Sequence, residues 1–462
     1  MFKAEIYIDR RIRLKKQLKS GLVLLLGNQE SPMNYLDNTY SFRQDSTFLY
    51  FFGLDYADLA GVIDIDDNRE IIFGNELTID DVVWMGTQPA LKDKSRLVGV
   101  EQTLPMSQLD QFIKEGIKKG RRIHLLPPYR PDNKIKLMNL LDIPISELSQ
   151  RVSVELIKAI VAQRSIKTFE EIGEIDKAVD ISTDMHIAAM KMARPNMLEA
   201  EIAAEVHKIA LSANGQIAFP IILTINGQTL HNHYHGNVLK KGDMVLVDAG
   251  AETARHYAGD LSSTFPVDKV FTDRQKEIYA ITLAAHTAAV ESLRPGIKNK
   301  EVHLTACRTI AQGLKDIGLM QGNIDDAVRE GAHAMFFPCG TGHMMGLDVH
   351  DMEDLGEVYV GYDGQPKSTQ FGLKSLRLAR ELEPGFVLTI EPGIYFIPEL
   401  IDLWKGQKKF IEFINYEKLE AYKDFGGIRN EEDFLITEDG YRLLGNKPKP
   451  KTIEEIESLR GA

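Results

Sequence analysis

The stretch KKGDMVLVDAG, residues 240–250, carries an apolar strand signal, MVLV, into Asp248 and then Gly250. A carboxylate delivered at a strand end, beside a glycine that lets backbone approach closely, is a site-building arrangement. Twelve residues on, AGDLSSTFPV at 258–267 places Asp260 at the start of the next strand. A strand, a turn and a return strand set the two carboxylates side by side on an antiparallel pair. Buried together they repel, and cations between them relieve that repulsion.

Three more segments repeat the pattern. FFPCGTGHMMGLDVHD, 336–351, holds His343 and His350 seven residues apart. On an ideal strand that spacing puts them on opposite faces, but Gly346 can bend the path, so their mutual geometry stays open. In VLTIEPGIYF, 387–396, Glu391 ends an apolar strand and Pro392-Gly393 turns away. GGIRNEEDFLIT, 426–437, offers Glu431, Glu432 and Asp433 in a strand context. Each residue alone is weak evidence, since most carboxylates are solvated. Their combination at the ends of apolar strands is costly to bury without metal. Oxygen ligands with one imidazole suit Mn²⁺, Co²⁺, Zn²⁺ or Fe²⁺ rather than a soft thiolate site. Isolated histidines in helical segments, such as His186 and His207, read as structural or exposed rather than as ligands.

Working outward, the chain has 462 residues, about three ordinary domains' worth of roughly 150 residues each, so two domains or one enlarged one is expected. The net charge of -12 disfavours nucleic acid and anionic membrane as main partners. Two cysteines, Cys307 and Cys339, exclude a disulfide framework and point to a reducing, cytoplasmic setting. The polar amino terminus lacks a secretory core, and no run of about 18 apolar residues suggests a membrane span.

The first 150 or so residues alternate short segments. Residues 9–19 suggest a weak amphipathic helix, LVLLL at 22–26 and FLYFFGLDY at 48–56 suggest strands, and AGVIDIDDNREIIFG at 60–74 is a hairpin signal. A helix is expected within 107–120, and a strand before Pro127-Pro128. From Val154 the pattern changes to long helices, then to ligand-bearing strands. The division is therefore placed at 1–153 and 154–462: a smaller mixed α/β domain, then a larger one with a curved, mostly antiparallel sheet backed by helices. The class is α/β in the broad sense, α+β in detail. The tail near 454 reads as a solvated helical end.

HNHYHGNVLKKGDMVLVDAGAE, AGDLSSTFPV, GTGHMMGLDVHD, LTIEPGIYF and GGIRNEEDFLIT together resemble the aminopeptidase P and prolidase family of metallopeptidases. The resemblance spans essentially the whole chain, and FRQDSTFLYFFGLDY at 42–56 looks like that family's amino-terminal domain. It implies the pita-bread catalytic fold and two divalent metal ions, Mn²⁺ first among the candidates, on Asp248, Asp260, His343, Glu391 and Glu431. Asp248 would bind one ion, Asp260 and Glu431 would bridge both, and His343 and Glu391 would serve the other. Glu432 is the rival of Glu431. The resemblance also assigns His350 and His231 to substrate handling, with His233 and His235 competing for the latter role, and Glu391 to proton transfer. Cys339 stands where family members commonly carry histidine, but it is not one of the five ligands.

The implied activity is hydrolysis of Xaa-Pro bonds in small peptides with proline second, by a homodimer. Arg377, fourteen residues before Glu391, resembles the prolidase arginine that pairs with a dipeptide carboxylate, so the reading leans to a dipeptidase over an aminopeptidase acting on longer peptides. An ordinary solvated arginine is the plain alternative. A catalytically degenerate binding member of the fold, or a metal-free hydrolase, would be expected to have lost ligands, and all five are present.

Overall fold

The computed structural model describes residues 1–461, in two compact units that divide between Arg164 and Ser165. That is one helix later than the 153/154 boundary. The helix Val154–Ser165 begins where the Ser153 amide donates to the Leu125 carbonyl at 2.9 Å, and near its end Arg164 donates to Thr47 Oγ1 at 3.1 Å. A backbone bond at its start and a side-chain bond near its end thus tie this helix to the front unit.

The front unit is built on a five-stranded mixed sheet in the order Gln102–Leu104, Arg69–Phe73, Ala60–Asp64, Leu22–Leu26, Ile123–His124. The hairpin expected at 60–74 is present, with Ala60 opposite Phe73 and Asp64 opposite Arg69. Leu22, Leu24, Val62, Ile71 and Phe73 pack with Leu109 and Ile113 of the helix Leu109–Lys118 into one apolar core. FLYFFGLDY is not a strand. Ser46–Phe52 is a helix, because the Asp45 side chain accepts from the Phe48 amide at one end and Gly53 takes a left-handed conformation at the other. Aromatic content favours strands only weakly, and the two caps override it. Arg10 and Arg11, buried on the helix Ala4–Gln17, donate to the carbonyls of Tyr50 at 3.0 Å and Phe51 at 2.7 Å. Cations at the carbonyl end of that short helix complement its dipole.

In the second unit every strand pairing is antiparallel among the described residues. Met244–Ala249 lies between Ile222–Thr224 and Leu261–Pro266. Val387–Ile390 pairs with Glu432–Ile436, and Gly393–Tyr395 with Gly427–Arg429. A single bridge between Ser262 and Glu431 links the first group of strands to the second. Long helices flank them, among them Phe169–Met192 and Asp273–Glu291, each started by a reciprocal capping box at Thr168/Glu171 and Thr272/Gln275.

The tail differs from the solvated end expected of it. Ile453–Gly461 is a helix with Ile456 fully buried. Arg460 donates to the carbonyls of Ala193 and Val267, both at 2.7 Å, and to that of Met190. Among the described residues no helix is long and apolar enough to cross a membrane.

Candidate active site

All eight residues singled out from the sequence line one cleft of about 880 Å³, part of it open to solvent. Its polar wall comes from strand ends. Asp248 sits on Met244–Ala249 directly opposite Ser262. Asp260 immediately precedes Leu261–Pro266, and its amide donates to Asp433 Oδ2 at 2.9 Å, which fixes the start of that strand. Glu431 lies one residue before Glu432–Ile436 and accepts from Ser262 Oγ at 2.7 Å. Glu391 follows Val387–Ile390, and its amide donates to the Thr341 carbonyl at 2.7 Å.

His343 completes the set. Its Nδ1–H donates to the Met344 carbonyl at 3.0 Å, which leaves the Nε2 lone pair facing Asp260 Oδ2 at 3.4 Å and Glu391 Oε1 at 3.6 Å. Asp260, His343 and Glu431 offer ligand atoms that all lie within 4.8 Å of one another. Glu432 turns away: it accepts from Lys451 Nζ at 2.6 Å and lies 3.7 Å from His286 Nε2.

The electrostatics ask for cations. Burial, then the neighbouring Asp248 charge, pushes the Asp260 carboxyl up to about 8. Burial lifts Glu391 to about 7 and holds Glu431 well above the carboxylate range. Asp260 is 4% exposed, and its Oδ1 has no hydrogen-bond partner. Buried carboxylates this close together, one with an orphaned oxygen and facing an imidazole lone pair, fit divalent cations by donor chemistry.

Arg429 is the counter-charge that sequence reasoning missed as a functional residue. Its buried guanidinium donates to Asp248 Oδ2 at 2.6 Å, Tyr395 OH at 2.8 Å and Ser262 Oγ at 3.0 Å. The available signal was its place two residues before Glu431, a spacing that in extended chain returns to the same face.

The two histidines of GHMMGLDVH do not lie on a strand. The loop between them folds so that their rings meet edge-on with centroids 4.2 Å apart. His350 Nδ1–H donates to Glu353 Oε2 at 2.6 Å. That bond, with Arg377 beside it, holds the Glu353 carboxyl down at about 2. Arg377 Nη2 is 3.4 Å from Glu353 and its Nε is 3.8 Å from Glu357.

Of the three neighbouring histidines, His231 and His233 both line the cleft, whereas His235 donates to the Ile221 carbonyl at 3.1 Å. Burial, aided by Arg429, keeps His231 below the usual imidazole range. Cys339 also lines the cleft, and burial pushes its thiol up to about 12, an unreactive state. His186 is structural as expected, since its Nε2–H donates to the Ala249 carbonyl at 3.0 Å and its Nδ1 meets Ser263 Oγ at 3.0 Å. An apolar wall of Phe219, Pro220, Ile222, Leu230 and Val349 faces the charged one.

Comparison with known proteins agrees with this geometry. A model of metallopeptidase family M24 matches residues 173–438, and one of the aminopeptidase P N-terminal domain matches residues 7–125. The chain is 30% identical to human Xaa-Pro dipeptidase, over 97% of this chain and 90% of that one. It is also 30% identical to Escherichia coli Xaa-Pro aminopeptidase, over 97% of this chain and 96% of that one. A single-residue variant of Escherichia coli aminopeptidase P in complex with substrate superposes with a TM-score of 0.82 at 28% identity, covering 100% of this chain and 98% of that one. Pseudomonas aeruginosa aminopeptidase PepP gives a TM-score of 0.82 at 27% identity, with the same coverage. The second unit thus has the pita-bread metallopeptidase fold. With an aminopeptidase P domain in front and a cluster of buried ligands fit for cations behind, the chain belongs to metallopeptidase family M24 and is a metal-dependent peptidase.

Proposed function

We propose that this protein is an Xaa-Pro aminopeptidase, which releases the first residue from peptides longer than two residues with proline second. The observation that carries the choice is the pairing of Arg377. Glu353 at 3.4 Å already pairs with its charge, and Glu357, which Lys367 also binds, lies at 3.8 Å. A dipeptide carboxylate arriving there would have to compete with Glu353 for the guanidinium, which makes a weaker receptor than an unpaired arginine. The superposition on two aminopeptidases supports the same reading. The dipeptidase preferred from the sequence becomes the second reading, favoured by the position of Arg377 in the cleft and by the human relative.

In this reading Asp248, Asp260, His343, Glu391 and Glu431 would together hold two divalent ions, with Mn²⁺ the expected metal. When bound, the ions supply Lewis-acid polarisation of the carbonyl and acidify water. The residues supply the rest. Glu391, at the edge of the buried set, accepts the proton of the attacking water and returns it to the proline nitrogen as the C–N bond breaks. The bond from His350 to Glu353 orients the ring. Burial and the neighbouring His343 hold this imidazole below its usual range while Glu353 opposes them, so the negative charge developing on the substrate oxygen would draw the second proton onto Nε2, which then donates to it. His231 holds the substrate from the far side. The apolar wall accepts the proline ring, whose tertiary amide has no N–H to satisfy.

The test is side-by-side kcat/KM for an Xaa-Pro dipeptide, its amide and an Xaa-Pro-Xaa tripeptide, on the parent and on Arg377→Ala. The tripeptide should be preferred, and the variant should change it little. A parent that prefers the free dipeptide, and loses more than about tenfold on that substrate alone in Arg377→Ala, establishes the dipeptidase instead.

A further inference from the structure

Behind the cleft lies a second cluster of ligand-type side chains that the peptidase reading does not use. His303 and Cys307 are one helical turn apart on Asn299–Asp316, which puts them on one face. His333 comes from the short 3-10 turn Ala332–Met335. All three are buried, their ligand atoms lie within 4.8 Å of one another, and none lines the cleft. We propose that His303, Cys307 and His333 bind one thiophilic divalent ion, Zn²⁺ by the chemistry of its donors, which ties the Asn299–Asp316 helix to the 3-10 turn Ala332–Met335.

Three observations support it. First, His303 Nε2 stands 3.4 Å from Cys307 Sγ. Around tetrahedral zinc, with N at about 2.0–2.1 Å and S at about 2.3 Å, two such ligands are separated by roughly 3.5 Å. Second, neither ring nitrogen of His333 has a hydrogen-bond partner of good geometry, with only the Val328 backbone near enough to act weakly. A buried imidazole left this way is costly, and an ion would satisfy it. Third, the remaining nitrogen of His303 is already oriented: Nδ1 meets Thr341 Oγ1 at 2.7 Å, the outer contact that fixes a metal-bound histidine.

The protonation states suit this use. Burial holds His303 at about 3 and His333 at about 4, so both imidazoles are neutral near pH 7, as ligands must be. Burial raises the Cys307 thiol, so without an ion it stays an unreactive S–H. Binding replaces that S–H bond with a metal–sulfur bond and releases one proton to solvent, with no change of oxidation state. The consequence reaches the cleft through Thr341, whose carbonyl accepts the Glu391 amide at 2.7 Å. An ion here would brace the segment that positions Glu391 and His343, while taking no part in the reaction.

Cobalt provides the test, because only thiolate coordination gives a sulfur-to-Co²⁺ charge-transfer band, and the five ligands proposed for the cleft include no sulfur. Full-length protein is produced with Co²⁺ as the added transition ion, so that the buried site fills as the chain folds. Folding is checked by near-ultraviolet circular dichroism. The parent should show the band and a sulfur scatterer at about 2.3 Å by X-ray absorption. Cys307→Ser and, independently, His333→Phe should lose or strongly reduce the band, and Cys339→Ser should keep it. A folded parent without the band, a band that survives Cys307→Ser, or a band lost in Cys339→Ser alone would each overturn the assignment. If Cys307→Ser does not fold, His333→Phe and the parent's sulfur scattering decide the question.

Discussion

Arg429 donates to Asp248 at 2.6 Å from inside the protein, and the same guanidinium also reaches Ser262 and Tyr395. One cation therefore compensates a carboxylate of the cleft and ties together the three strand segments that carry these partners. Removing one member of a buried pair costs on the order of 3–5 kcal/mol, because the other charge stays buried. Arg429→Ala should lower the unfolding temperature markedly. Arg429→Lys should rescue it only partly, since a point charge cannot serve three divergent acceptors. Thermal melts of both variants check this; a lysine variant as stable as the parent would show that charge alone suffices.

The carboxylates that the family resemblance places between the ions should be the least replaceable. Asp260→Ala and Glu431→Ala are expected to lose bound metal and essentially all activity. Glu432→Ala should keep both, because that side chain faces Lys451 at 2.6 Å. Metal content by elemental analysis, alongside turnover, separates the outcomes. Two retained ions in Glu431→Ala would move the ligand role elsewhere.

His350→Ala should keep its metal while turnover falls by roughly 10²-fold, the cost of losing an oxyanion donor. Glu353→Gln should show a smaller loss in kcat with little change in KM, because it removes the charge that opposes the lowering of the His350 pKa by burial and His343. Metal loss in His350→Ala would make that histidine a supporting group for His343, whose ring centroid is 4.2 Å away.

Glu357→Gln removes one of the two anions at Arg377 without touching the His350–Glu353 bond. The freed guanidinium should then attract a substrate carboxylate, raising the dipeptide-to-tripeptide ratio of kcat/KM severalfold. An unchanged ratio would mean that Arg377 does not meet the carboxyl end of the substrate.

The ion-free protein should lose stability as pH rises. Asp260 moves from its ordinary 3.8 to about 8 on folding, and Glu391 from 4.5 to about 7. Between those limits the folded state holds protons that the unfolded chain has released, so stability is greatest below about 4 for these groups and is lost as pH climbs towards 8. Bound cations remove the penalty by taking the protons' place. The gap in unfolding temperature between Mn²⁺-loaded and chelated protein should therefore widen from pH 5 to pH 8. A gap that narrows would contradict the buried-carboxylate account.

Local and chemical features are legible in the chain alone: strands ending in Asp248 and Glu391, the hairpin at 60–74, the long helices after residue 153, and a ligand inventory that names its metals by hardness. Period and punctuation report such features directly, because they depend on neighbours within a few residues. The tertiary structure decided the rest. Asp45 and Gly53 turned an aromatic run into a helix, and Arg460 pinned a tail that reads as solvated. The loop at 343–350 brought together two rings whose spacing suits opposite faces of a strand. Glu353 and Glu357 occupied an arginine that alone resembles a carboxylate receptor. The caps and the loop are local, but which of several local conformations the chain takes is decided by packing; the Arg460 and Arg377 contacts are made across long stretches of chain, where Coulomb forces and burial act through space rather than along the sequence.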